Sequence, residues 1–154
     1  MSPNHPVART GLSRAMRGLD QSAGRRLVRR AETAVDVLAP ALIAGLSADA
    51  RDLAAACRAD ETVVFQTSGP IGRAALDLVE KARLAGHPRL AEAAEGLWEM
   101  IDALTRRGVW HTDALRLHAE SLNVLATASP ADARAASIID ALRSLRVGVG
   151  ASGN

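Results

Sequence analysis

A chain of 154 residues fits one domain, or one domain with a tail. Apolar residues make up 48% of it but only three are aromatic, Phe65, Trp98 and Trp110, so a core must be built from Leu, Ala, Val and Ile, without base-stacking recognition of nucleic acid. The net charge of +2 is split: residues 1–30 carry seven arginines against one acid, Asp20, and the rest of the chain is mildly acidic.

Residues 1–24 show no apolar period and are rich in Ser, Pro, Gly and Arg, which predicts a disordered basic arm. Such an arm can touch phosphates without reading sequence, or remain solvated. It lacks the apolar segment of a signal peptide, and the apolar run at 37–46 is short for a bilayer and holds Pro40 and Gly45, so no membrane span and a cytoplasmic location are expected. The single cysteine, Cys57, closes no internal disulfide and lies in a Leu-Ala-Ala-Ala-Cys stretch, where it reads as a small core residue.

From residue 25 to 146 the period is helical. Val28, Ala31, Val35, Leu38, Leu42, Leu46, Ala50, Leu53 and Cys57 share one stripe through Pro40, so a long kinked helix or two helices meeting at Pro40 are expected. Asp60 is a candidate N-cap for the next helix, whose face carries Val64, Ile71, Ala75, Leu78 and Ala82 and which Gly69-Pro70 should bend or break. Gly86 suits a helix C′ position and Pro88 stops continuation. Leu90, Ala94, Leu97, Trp98, Ile101 and Leu104 form the next stripe, with Arg106 and Arg107 in the last turn and Gly108 at the end. Thr112 is the expected cap of the following helix. Leu115, His118, Ala119, Leu122, Leu125 and Ala126 line one side of it and Leu117 and Val124 the other, as for a central or partner-covered helix. Ser129-Pro130-Ala131-Asp132 reads as N-cap, proline and acid opening a last helix with Ala135, Ile139, Leu142 and Leu145 on one stripe. Residues 147–154 read as a flexible tail. Short connections favour antiparallel neighbours, hence an all-α up-down bundle of four to five helices.

The chemistry on offer is sparse. There is no Gly-rich phosphate loop, no His-Glu-x-x-His and no cysteine pair, so no cofactor, no metal and no enzymatic reaction are expected. Four histidines are scattered. His111 and His118 stand seven apart, a poor chelate, and His118 flanks an apolar stripe as a partly buried residue would.

Ala85-Gly86-His87-Pro88-Arg89-Leu90, the Leu-rich helix after it, and Leu115-Arg116-Leu117-His118-Ala119-Glu120-Ser121-Leu122 resemble a bacterial helical family related to histidine-phosphotransfer (HPt) domains, the group that includes the chemotaxis protein CheE of alphaproteobacteria. The resemblance covers roughly residues 25–126. Active HPt domains carry His-x-x-Lys-Gly, with a glycine ten residues after the histidine. Anchored on Gly86, those three positions are Leu76, Val79 and Glu80, so the resemblance implies an HPt-like bundle without its phosphoacceptor. The helix phase turns Leu76 away from the core beside Arg73, Glu80 and Arg83. An apolar spot rimmed by charge fits a receiver domain, so Arg73, Leu76, Val79, Glu80 and Arg83 form the expected partner-binding face of a non-catalytic adaptor in chemotaxis or two-component signalling. The competing expectations are a phosphotransferase using His118 or His87, a dimeric or surface-coating helical protein of phasin type, and nucleic-acid association through the arm.

Overall fold

In a computed structural model the described residues are 9–151, with side chains described for 21–151 except Val35. All regular structure among them is helical: α1 Arg9–Cys57, α2 Glu61–Gln66, α3 Ser68–Leu84, α4 Pro88–Arg107, α5 Thr112–Thr127 and α6 Ala133–Gly148. The all-α expectation holds, with six helices where four to five are expected, because the Gly69-Pro70 signal yields a break rather than a bend. α2 ends at Gln66 and α3 starts at Ser68. Pro70 then falls in the first turn of α3, where its missing N–H has no intrahelical acceptor to lose.

The chain divides into two units, residues 1–40 and 41–154. In the first, the described residues form the N-terminal part of α1. The helix begins at Arg9, within the stretch expected as a disordered arm, and Pro40 lies inside α1. Residues 1–8 of that arm lie outside the described residues. Leu27, Val28, Val37 and Leu38 are exposed, Val37 by 72%. The stretch Gln21–Cys57 has a window of mean hydropathy 1.4, long and apolar enough by length and composition to cross a bilayer, which the count over 37–46 alone did not anticipate.

The second unit holds the core. Leu46, Ala50, Leu53, Ala54 and Cys57 of α1 are buried with Leu78 of α3, Leu90, Leu97, Met100 and Leu104 of α4, Leu115, Leu122 and Leu125 of α5, and Leu142 of α6. Polar links fix the directions. Ser47 donates to the Ala126 carbonyl, and Arg58 pairs with Glu120, so the end of α1 runs antiparallel to α5. Lys81 pairs with Asp49 at 2.7 Å, holding α3 to α1. Arg89 donates to the Asp132 carbonyl at the start of α4 and α6, and Arg107 donates to the Gly150 carbonyl at their ends, so these two helices run side by side. The result is an up-down bundle with α4 in the middle, packed against α3, α5 and α6. The two-sided apolar pattern of α5 does not make it the central helix, since its outer residues Leu117 and Val124 are exposed.

The helix ends differ in detail from the sequence reading. Gly86 and Gly108 take φ of +67° and +65° beyond α3 and at the end of α4, the left-handed conformation that favours glycine. Asp60 holds the N-cap position of α2 without a side-chain cap bond. Thr112 is the first residue of α5, not its cap; its hydroxyl donates to Glu61 Oε2 at 3.0 Å and ties α5 to α2. Ser129 does not cap α6; Asp132 does, its Oδ1 accepting from the Arg134 N–H at 2.9 Å. The region expected as a tail is partly structured. α6 runs to Gly148 and Ala151 is buried, while 152–154 lie outside the described residues.

Candidate partner-docking site

α3 is an amphipathic helix whose buried face, Ile71, Ala75, Leu78, Val79 and Ala82, is set by its packing against α4, with Lys81 tied to Asp49 of α1. At 100° per residue, Arg73, Leu76, Glu80 and Arg83 must then share the opposite side. All four are exposed, with Leu76 39% accessible. Val79 does not join them. It is 4% exposed and belongs to the core, because its position on the wheel lies one residue from Leu78 and four from Ala75. The expected five-residue face is therefore a four-residue face.

α4 widens it. Arg83 pairs with Glu95 at 3.1 Å across the α3–α4 seam. One turn further along α4, Trp98 lies against Gly72, where a Cβ would stand 3.5 Å from the indole Cδ1. Trp98 remains 37% exposed, although its place on the α4 stripe predicts a core residue. The small residue opposite lets the ring lie over the seam instead of inside it. Leu76 and Trp98 are thus two large exposed apolar groups on adjacent helices, with Arg73, Glu80 and Arg83 on the same side of α3 as Leu76 and Glu95 joined to Arg83 across the seam. Trp98 and Glu95 are the members that a reading of α3 alone could not supply. The signal for them was the glycine at 72, which marks where a bulky neighbour approaches.

The histidines have other roles. His118 is fully buried; its Nε2 lies 2.8 Å from the Ala93 carbonyl, which fixes the Nε2–H tautomer in which the ring donates. Burial pushes its pKa down to about 4, with the nearby Arg146 adding to the effect against the Ala93 bond. Among the described residues His118 Nδ1 is buried without a partner. The Arg146 guanidinium reaches Glu99 at 3.1 Å by crossing Gly96, where any Cβ would overlap it. His87 is also buried, with Nε2 3.2 Å from the Ala128 carbonyl. Neither ring offers solvent the nitrogen that a phosphoryl group needs. Cys57 is buried and its thiol is pushed up to about 11 by burial, in keeping with a core role. Trp110 packs edge-on against Phe65, ring centres 5.3 Å apart, at the α2 end of the bundle. Among the described residues no three His, Cys, Asp or Glu side chains gather as a metal site would require. In comparisons with known proteins, no family model, no curated protein and no solved structure matches this chain.

Proposed function

We propose that this protein is a non-catalytic docking module for the receiver domain of a response regulator in a bacterial two-component or chemotaxis pathway. The observation that carries the reading is the α3–α4 face: Leu76 is exposed on α3, Trp98 is exposed on α4 against Gly72, and Arg83 pairs with Glu95 across the seam, with Arg73 and Glu80 on the same side of α3 as Leu76. Interfaces place aromatic and aliphatic anchors at the centre and charges at the rim, so this composition suits a protein partner. The resemblance to HPt-like bundles supports a receiver as that partner, since Leu76 stands where those domains carry the phosphorylated histidine. A bundle with leucine there occupies the receiver's docking surface without exchanging phosphate. It competes with the receiver's own phosphodonor.

The test is an amide NMR titration of this protein with purified receiver domains of its source organism. The expected result is shifts concentrated on Arg73, Leu76, Glu80, Arg83, Glu95 and Trp98, and binding weakened about tenfold or more by Leu76→Asp, the scale of one lost interface anchor. Unaltered affinity of the Leu76→Asp protein would discard this face, and absence of shifts with every receiver would discard the partner class.

A further inference from the structure

The first unit carries a surface of its own on α1. At about 100° per residue, Leu27, Val28, Ala31, Ala34 and Leu38 fall within an arc of about 120° around the helix. Arg25, Arg26, Arg29, Arg30, Glu32 and Asp36 fall within a separate arc of about 160°. Between residues 25 and 38 only Val37 breaks the division, standing between Arg26 and Arg30. Both arcs are open to solvent. Leu27, Val28 and Leu38 are each more than half exposed. The four arginines and the two acids are exposed as well, and among the described residues none of the six enters an ion pair. An apolar stripe of this kind ordinarily faces a core, and this one faces water.

Charge indicates what covers it. Residues 1–38 hold seven arginines against three acids, Asp20, Glu32 and Asp36. A second copy of the helix would cover the apolar arc but bring the same excess of arginine. Nucleic acid would meet the arginines and leave the leucines in water. An anionic bilayer surface takes both arcs at once. The acyl boundary receives Leu27, Val28 and Leu38, and the headgroup phosphates receive the guanidinium groups, which reach them on long alkyl stems.

The helix suits the bilayer surface rather than a span. From Leu46 onward α1 gives Leu46, Ala50 and Leu53 to the core of the second unit, which leaves residues 21–45. A span through them would draw Glu32, Asp36 and the four arginines toward hydrocarbon. The uncharged run 37–45 is about 14 Å long, against about 30 Å of bilayer core. We propose that Arg25–Leu38 is an interfacial anchor that lies in the headgroup region of an anionic phospholipid bilayer, leucines inward and arginines on the phosphates, and so tethers the second unit to a membrane surface. This goes beyond the receiver reading and uses none of the α3–α4 face.

Vesicle flotation of the full chain decides it. The probes are vesicles of phosphatidylcholine alone and of phosphatidylcholine with phosphatidylglycerol at roughly 2:1. Affinity should be about tenfold or more higher for the anionic vesicles and should fall toward the neutral value between about 50 and about 500 mM salt. Both results come from the wild type and depend on no variant. The quadruple variant Arg25→Gln, Arg26→Gln, Arg29→Gln, Arg30→Gln should lose the preference for anionic lipid at unchanged helicity, since glutamine is also a good helix former. The double variant Leu27→Gln, Leu38→Gln should bind the anionic vesicles about tenfold or more weakly. A wild type that stays off anionic vesicles overturns the proposal, whether it sediments at twice its 16.1 kDa through paired helices or retards a short DNA duplex instead. Equal binding to neutral vesicles overturns it too, as does binding that survives an alkaline carbonate wash, the mark of a span. A leucine variant that binds like the wild type overturns the seating of the apolar arc. Each failure leaves the receiver reading standing, and the absence of receiver-induced shifts leaves this one standing, because the two surfaces share no residue.

Discussion

Gly96 and His118 show how one position without a side chain shapes its surroundings. A glycine in the middle of α4 costs about 1 kcal/mol of helix propensity relative to alanine. It is retained where Arg146 crosses the helix beside the buried imidazole. The imidazole is neutral in the fold, and this makes a pH dependence. With a pKa of about 4 in the folded state, against 6.5 for the free side chain, the unfolded chain binds the extra proton between those values. Stability contributed by neutral His118 is therefore complete above about pH 6.5 and is lost as pH falls toward 4, by about 3 kcal/mol over the full interval. Denaturant unfolding of the wild type and His118→Gln at pH 7.5 and 4.5 checks it: the glutamine keeps a donor for the Ala93 carbonyl, and its stability should fall less over that interval.

Helix ends are where chain-local signals and packing compete. Ser129-Pro130 is a start signal on local grounds, yet the chain passes through a turn at 130–131 and the cap is Asp132. The Asp132 carbonyl also accepts from Arg89, so the start of α6 is fixed by α4 as well as by its own cap. Asp132→Ala should lower stability by about 1 kcal/mol in chemical denaturation, the usual cost of a lost cap. Ser129→Ala should change it by less than about 0.5 kcal/mol. The same contest decided Thr112, whose hydroxyl serves Glu61 rather than its own helix.

In the second unit stability rests on α4, the helix with neighbours on three sides. Leu97, fully buried on it, is the test residue: Leu97→Ala should cost about 2–5 kcal/mol, read from the shift of the urea midpoint, since it removes apolar contacts at a site walled by neighbouring helices. Leu76→Ala, on the exposed face of α3, should leave the midpoint nearly unchanged. That contrast separates a residue kept for the fold from one free to serve a partner. The ion pairs around the unit add little of their own, being largely exposed, but Arg58–Glu120, Lys81–Asp49 and Arg143–Glu92 join different helices and favour one arrangement over its mirror alternatives.

The amino-acid order by itself determined the helical class, most of the helices and their buried stripes. The 3.6-residue period of Leu and Ala and the glycines at 86 and 108 are local in cause: each depends on the chain's own geometry and needs no neighbour. It also placed Arg73, Leu76, Glu80 and Arg83 on one exposed side of α3, because a helix wheel is fixed once its buried face is known. Only the tertiary structure decided that Val79 belongs inside, that Trp98 lies exposed at the α3–α4 seam with Glu95 paired to Arg83, that His87 is buried and His118 fully so, and that Leu117 and Val124 stay outside. Those outcomes depend on which helix lies against which, and apolar periodicity is silent on that choice. A stripe says that a side chain wants cover. What covers it, or leaves it open for another molecule, is settled by the packing of elements far apart in sequence.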